Sequence, residues 1–183
     1  NAFLLYWLKD KGFSFFQVRD ILKAWEKGVS GKYFLSGFFM LNLDRDKFIL
    51  GPIEPPTQSI EVNQHDIEVI INGVTYELLS LEPDKEIDRS RENAMLDKSL
   101  LSFPLTIRNW EEGDKFKPLG MSGFKKISDF LIDLKVPLIK KNKVRVLCSG
   151  AQVVWIVGFR IDERFKVTCS TSSVLYFKKR NHV

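Results

Sequence analysis

Lys115, Lys117, Lys125 and Lys126 crowd around Gly120 and Gly123 in the stretch from Arg108 to Lys135. The pattern predicts a short strand, a glycine-rich loop and a helix that opens on Lys125 and Lys126. A helix start already carries unpaired N–H groups and partial positive charge. Lysine is unfavourable there unless an anion is expected, so the run reads as a phosphate-binding corner. A solvated turn with ordinary surface lysines explains the same spacing, and spacing alone does not separate the two. A second run, Arg160 to Lys166, puts Arg160, Arg164 and Lys166 on or beside a tight turn between two strong strands. Arginine offers phosphate a planar fork that lysine cannot copy. Arg164 has an internal alternative, pairing with Asp162 or Asp114.

Charge favours the anion reading. Residues 103–183 hold 16 Lys and Arg against 7 Asp and Glu, a net of +9, while residues 1–102 hold 12 against 16, a net of −4. Such asymmetry points to a polyanionic partner for the basic half. Clustered cations are the footprint of nucleic-acid binding. An acidic protein or a membrane surface would also account for them.

Other chemistry finds little support. The sequence has no GxGxxG, GxxxxGK[ST] or HExxH motif. Asp129 and Asp133 lie four apart on one helix face, and Asp162-Glu163 is a second acidic pair, so a Mg²⁺-dependent carboxylate enzyme is conceivable. The competing reading is stronger: Asp129 suits a helix start, and the other carboxylates have abundant Lys and Arg to pair with. His65 and His182 with Cys148 and Cys169 do not have zinc-site spacing. Both cysteines read as buried, reduced thiols of a cytosolic protein. No catalytic residue and no metal ligand is assigned. No apolar run approaches the roughly 18–20 residues of a membrane span, and no secretory signal is visible. The chain opens on Asn1-Ala2 without Met, and is expected to be an excised piece of a longer protein.

The elements that must position these residues follow from periodicity. At 183 residues, 44% of them apolar, the chain suits one large domain or two small ones. Residues 3–9 form a short apolar helix stopped by Gly12. Ser14 and Gln17 make a capping box, after which Val18, Ile21, Leu22 and Trp25 form an amphipathic stripe ended at Gly28. Short strands are expected at 32–35, 38–43 and 47–50, with a turn at Asp44-Arg45-Asp46. Gly51 to Pro56 is the linker candidate. Two strands, from Ile60 onward and Val74 to Leu81, flank the hairpin dipeptide Asn72-Gly73. Residues 82–99 are highly charged, their acidic stretch 82–88 reading as a solvated loop, and 103–110 reads as a strand. The helix 125–134 should bury Ile127, Phe130, Leu131 and Leu134 and stop before Pro137. Strands at 144–148, 153–159, 165–169 and 174–177 complete the chain, Val153 to Val157 being central and Lys178 to Arg180 frayed. The fold class is α+β: a small helical and hairpin part over 1–53, a connecting β segment over 54–102, and a β-rich C-terminal domain carrying one helix over 103–180.

Several motifs in order resemble a known family. They are Ile107-Arg108, Gly113-Asp114-Lys115-Phe116, Pro118-Leu119-Gly120-Met121, Lys125-Lys126, Asp129-Phe130, Asp133, Lys135-Val136-Pro137, Trp155, Gly158-Phe159-Arg160-Ile161 and Arg164-Phe165-Lys166-Val167-Thr168. Over roughly 104–177 they look like the C-terminal domain of tRNA(Ile)-lysidine synthetases. Residues 1–53 resemble the middle region of that family more weakly, and 54–102 match only in general character.

The resemblance implies a parent ligase that uses ATP to adenylate the wobble cytidine of an isoleucine tRNA. Free lysine then displaces AMP to give lysidine. The family's ATP loop, SGGxDS, is absent from this sequence, so ATP and Mg²⁺ are expected in a domain not contained here, which also binds lysine. What remains resembles the parts that grip the tRNA body and acceptor stem, in the cytoplasm, with a homodimer as a further possibility. The implied fold of 103–180 is similar to a domain of phenylalanyl-tRNA synthetase beta chains. Arg108, Lys115, Lys117, Lys125, Lys126, Arg160, Arg164 and Lys166 are the candidate tRNA-binding residues. The alternative from another class is a protein-interaction or dimerisation module with a basic rim.

Overall fold

The computed structural model describes residues 2–53, 57–83 and 86–180. It divides into two compact units, Asn1–Pro56 with Lys135–Asn142, and Thr57–Leu134 with Lys143–Val183.

In the first unit, α1 (Ala2–Lys9) leads to α2 (Phe15–Glu26). The Ser14 hydroxyl accepts from the Gln17 N–H while the Gln17 side chain accepts from the Ser14 N–H, so the capping box forms as expected. Past the end of α2, Gly28 takes the left-handed conformation (φ +64°) and its N–H donates to the Trp25 carbonyl, closing the last turn. Strands β1 (Tyr33–Leu35), β2 (Phe39–Asp44) and β3 (Lys47–Pro52) form an antiparallel sheet in that order. Val18 and Ile21 of the helical stripe are buried against Leu8, Leu41 and Leu43, with Trp25 stacked on Phe48 at 4.4 Å. Gly51 and Pro52, expected in the linker, belong to β3; residues 54–56 of that linker lie outside the described residues. A single helical turn, Leu138–Lys141, sets Ile139 against Gly51, where any side chain on Gly51 would collide with it.

The second unit is two antiparallel sheets around one core. Its strands are β4 (Ile60–Val62), β5 (Glu68–Ile71), β6 (Val74–Leu81), β7 (Ala94–Asp97), β8 (Leu105–Asn109), β9 (Lys115–Phe116), β10 (Lys125–Lys126), β11 (Arg145–Ser149), β12 (Gln152–Ile156), β13 (Arg160–Ile161) and β14 (Val174–Lys179). One sheet has the order β13-β12-β11-β8-β4, the other β5-β6-β14-β7, and β9 pairs with β10 alone. Trp155 of β12 is fully buried and meets Tyr76 of β6 at 5.6 Å and Phe177 of β14 at 5.7 Å, ring to ring. Both sheets feed this core through Val62, Ile71, Leu96, Leu105 and Ile107. Edge-to-face and offset aromatic contacts of this kind add to area burial.

Five expectations need correction. The stretch from Ile60 is two strands, β4 and β5, which enter different sheets; only the Asn72-Gly73 turn joins β5 to β6, with φ of +52° and +78° as a two-residue hairpin requires. The charged segment 82–99, in which no strand is expected, contains one, because Ala94–Asp97 is a wholly buried strand on β14. Residues 165–169 are not a strand: a 3₁₀ turn at Glu163–Phe165 interrupts them, and only an isolated bridge joins Lys166 to Leu96. Lys178 to Arg180 are not frayed, since Lys179 pairs with Glu92 and Arg180 with Glu68 and Glu77. Cys148 is buried as expected but Cys169 is exposed, and His182 lies outside the described residues. Among the described residues, no helix is long and apolar enough to cross a membrane.

Candidate nucleic-acid interface

The expected helix 125–134 is shorter than its pattern. Lys125 and Lys126 are the strand β10, opposite Phe116 and Lys115 of β9, and the helix α3 runs Ile127–Asp133. Its first N–H, on Ile127, donates to the Asp114 carbonyl. Ile127, Phe130 and Leu131 face the core as expected, while Leu134 lies past the helix end and is 43% exposed. Lys135, next in line, takes φ +54°, so the helix cannot continue.

Strand alternation then sorts the lysines. Phe116 points inward, fully buried and edge-on to Phe130 at 5.0 Å. Lys115 and Lys126 are exposed and sit directly opposite one another across the ladder. Like charges in that relation destabilise a sheet unless something anionic lies over them. Beside them Phe124 is 57% exposed. The Lys115 Nζ lies 5.6 Å from its ring centre, and the Arg164 guanidinium carbon 4.9 Å.

The glycine-rich loop is held by carboxylates. The Lys117 N–H donates to Asp162 Oδ2 at 2.8 Å, and the Gly120 N–H to Glu163 Oε2 at 2.7 Å. Gly120 reaches that acceptor with φ +85°, which favours glycine. The Glu163 N–H returns a bond to the Lys117 carbonyl at 2.7 Å. Loop N–H groups that would cradle a phosphate are therefore already satisfied at 117 and 120. An anion here would meet side chains.

Those side chains fall into two groups. Arg108 makes a two-pronged bond to Asp114 at 2.8 and 2.9 Å. Lys125 pairs with Asp133, and Lys166 with Glu163. Arg164 takes the internal partner foreseen for it: its Nε and Nη2 both reach the fully buried Asp162 at 2.9 Å. Lys115, Lys117, Lys126 and Arg160 form no salt bridge with a carboxylate among the described residues, though Lys117 lies near enough to Glu163 to help hold it low; Arg160 makes a 3.5 Å bond to the Leu119 carbonyl.

Burial pushes the Asp114 carboxyl up, but hydrogen bonds from Arg108 and the Glu111 N–H outweigh it and hold it below the usual carboxylate range. The Gly120 N–H first, then Lys166 and last the nearby charge of Lys117, hold Glu163 low. Asp162 raises the Arg164 guanidinium above its ordinary value through their hydrogen bonds. Among the described residues no three His, Cys, Asp or Glu side chains gather as a metal-holding group. Asp133 and Asp162, candidates for carboxylate chemistry, are tied to cations instead.

Phe124, Arg89 and Arg91 were not singled out by sequence reasoning. An exposed aromatic inside a lysine-flanked loop is a readable signal for Phe124. Arg89 and Arg91 line a cleft with Arg160 and Lys166, which no spacing rule reveals across about seventy residues of chain.

Residues 1–53 match the TilS substrate binding domain and residues 105–176 the TilS substrate C-terminal domain. A solved structure described as the TilS C-terminal domain superposes with a TM-score of 0.55 at 16% identity, covering 68% of this chain and 100% of its own. Over that 68% the chain has the fold of a TilS C-terminal domain.

Relatives carry the point further. The tRNA(Ile)-lysidine synthase of Bacteroides thetaiotaomicron is 34% identical over 97% of this chain, and that of Parabacteroides distasonis 40% over 92%. The chain belongs to the tRNA(Ile)-lysidine synthase family. It spans 39% of the length of each of these two relatives.

Proposed function

We propose that this chain is the tRNA-gripping part of a ligase that joins lysine to the wobble cytidine of an isoleucine tRNA. The observation that carries the reading is the cross-strand pair Lys115 and Lys126, exposed beside Phe124 and without a carboxylate. Two opposed lysines cost the free protein stability and are relieved by a ribose-phosphate backbone. Phosphate contacts fix register, and a half-exposed ring flanked by cations offers a base or ribose a face to stack on.

Lys115, Lys117, Lys126 and Arg160 meet phosphate directly in this account. Arg108, Arg164 and Lys166 act by holding the loop: their carboxylate partners Asp114, Asp162 and Glu163 bind the backbone that carries the first group, while Lys125 is tied to Asp133 at the end of α3. Arg164 does both tasks, bracing Asp162 with its fork and covering Phe124 with its face.

The residues present do not fit ATP or Mg²⁺. The sequence has no SGGxDS loop, and around the basic loop Asp114, Asp133, Asp162 and Glu163 are committed to cations and backbone N–H groups. Adenylation and lysine transfer belong, in this reading, to sequence that the longer relatives have in addition. The work is cytoplasmic, where tRNA, lysine and ATP meet.

The test is titration of fluorescent tRNA(Ile) with the chain, against a single-stranded RNA of equal length. Tighter binding of the folded tRNA supports the reading, because an A-form minor groove is read by shape and 2′-hydroxyls. Equal affinity contradicts it. A second reading, dimerisation, is favoured for the first unit by Phe3, Phe15, Phe16 and Phe38, each 62% exposed or more. Sedimentation of the chain alone, giving a dimer indifferent to tRNA, would select it.

A further inference from the structure

Behind the lysine-bearing loop, wholly within the second unit, lies a cleft of about 430 Å³. Its apolar surface comes from Ile87, Met95, Leu119 and Phe159, and its cations are Arg89, Arg91, Arg160 and Lys166. Arg89 and Arg91 are exposed. The wall that carries them is preformed. The Asp88 carboxylate accepts from the Tyr176 hydroxyl at 2.5 Å, the Asn93 amide at 2.6 Å and the Ser90 N–H at 2.7 Å. The Asp88 N–H in turn donates to the Met95 sulfur at 3.1 Å. Among the described lining residues Asp88 is the one acid, and both its oxygens are engaged by these donors.

We propose that this cleft takes one unpaired nucleotide of the bound RNA, its base on the apolar surface and its phosphates on Arg89, Arg91 and Arg160. The proposal rests on the RNA-binding reading above and adds a subsite to it. The volume falls in the lower part of the ~300–1,000 Å³ span of small-molecule sites, room for one nucleotide rather than a stacked run. Paired bases keep their faces inside the helix, so only an unpaired base can lie flat on Leu119 and Phe159. Charge complementarity chooses a phosphate-bearing occupant. Continuity chooses a strand over a free nucleotide, because residues 160–166 supply Arg160 and Lys166 to the cleft and Arg164 to the Phe124 face.

The experiment uses the 183-residue chain and fluorescence anisotropy with two RNA hairpins. One ends in a four-nucleotide single-stranded 3′ overhang; the other is blunt. Adenosine monophosphate serves as competitor. The overhang hairpin should bind about tenfold tighter or more, the worth of one stacked base. Arg89→Ala with Arg91→Ala should remove that advantage and leave the blunt hairpin within about threefold, charge screening being shared by both probes. Leu119→Glu should do the same by spoiling the stacking surface, and near-unchanged melting curves show that both variants fold. Equal affinity of the two hairpins, or equal losses for both in the variants, overturns the subsite while leaving RNA binding standing. Displacement of the overhang hairpin by adenosine monophosphate at its own concentration overturns the assignment to a strand. Failure of either hairpin to bind overturns both this proposal and the function it rests on.

Discussion

Replacing Lys115 and Lys126 together by alanine is the perturbation whose size the structure fixes best. Both are exposed, neither has a carboxylate partner among the described residues, and they face each other across β9 and β10. Each is assigned one phosphate. For a duplex, each phosphate neutralised contributes about 0.9 to the magnitude of the slope of log affinity against log salt. The double variant should therefore flatten the slope for tRNA by about 1.8, whatever the total for the wild-type chain. At about 0.1 M salt the same contacts amount to about a 60-fold loss of affinity. Stability should hold or rise slightly, because a like-charge pair is removed. Anisotropy of labelled tRNA between about 50 and 200 mM KCl reads slope and affinity together. Lys9→Ala with Lys47→Ala, in the first unit, is the control and should change neither. A double variant whose slope and affinity match wild type would refute the assignment of phosphates to these lysines.

Asp162→Asn strips charge from a fully buried carboxylate that holds Arg164 and the Lys117 N–H. It should cost about 2–4 kcal/mol in urea unfolding, since the guanidinium is left half-buried without its counter-charge; a loss under about 0.5 kcal/mol would show that the loop has other anchors. Trp155→Ala should cost about 3–5 kcal/mol. Trp155→Phe should cost far less, because the indole N–H has no partner among the described residues and its loss leaves nothing unpaired. Equal costs for the two would contradict the packing account. The pH dependence follows from Asp114 and Glu163, whose folded values lie below their ordinary ones. Their stabilisation is present above about pH 4 and is lost as pH falls through the depressed folded values. Loop fluorescence from an Asp114→Asn variant should show a weaker acid transition; an unchanged one would discount the Arg108 pair.

Periodicity and turn chemistry made much of the fold legible. Ser14 with Gln17, the Val18 stripe and Asn72-Gly73 each act through neighbours a few residues away, so their signals survive in a single sequence. The misses share a cause. Ala94–Asp97 becomes a buried strand because β14 pairs with it from about eighty residues away, and its charged flanks hide an apolar run of three. Lys125 and Lys126 look like a helix start, yet β9 claims them as a strand before the helix can begin. Arg180 looks like a loose tail until Glu68 and Glu77 are brought beside it. At the interface, residue types announced a basic loop. Which cations already have a carboxylate was hidden, because Asp162 and Glu163 reach Lys117 and Gly120 across about forty-five residues of sequence.

Lysine acetylation of the chain with and without tRNA(Ile), read site by site by mass spectrometry, tests the central claim most directly. Strong protection of Lys115, Lys117 and Lys126, with Lys9 and Lys47 unchanged, is the predicted result. Protection spread evenly over the chain, or confined to the first unit, would contradict it.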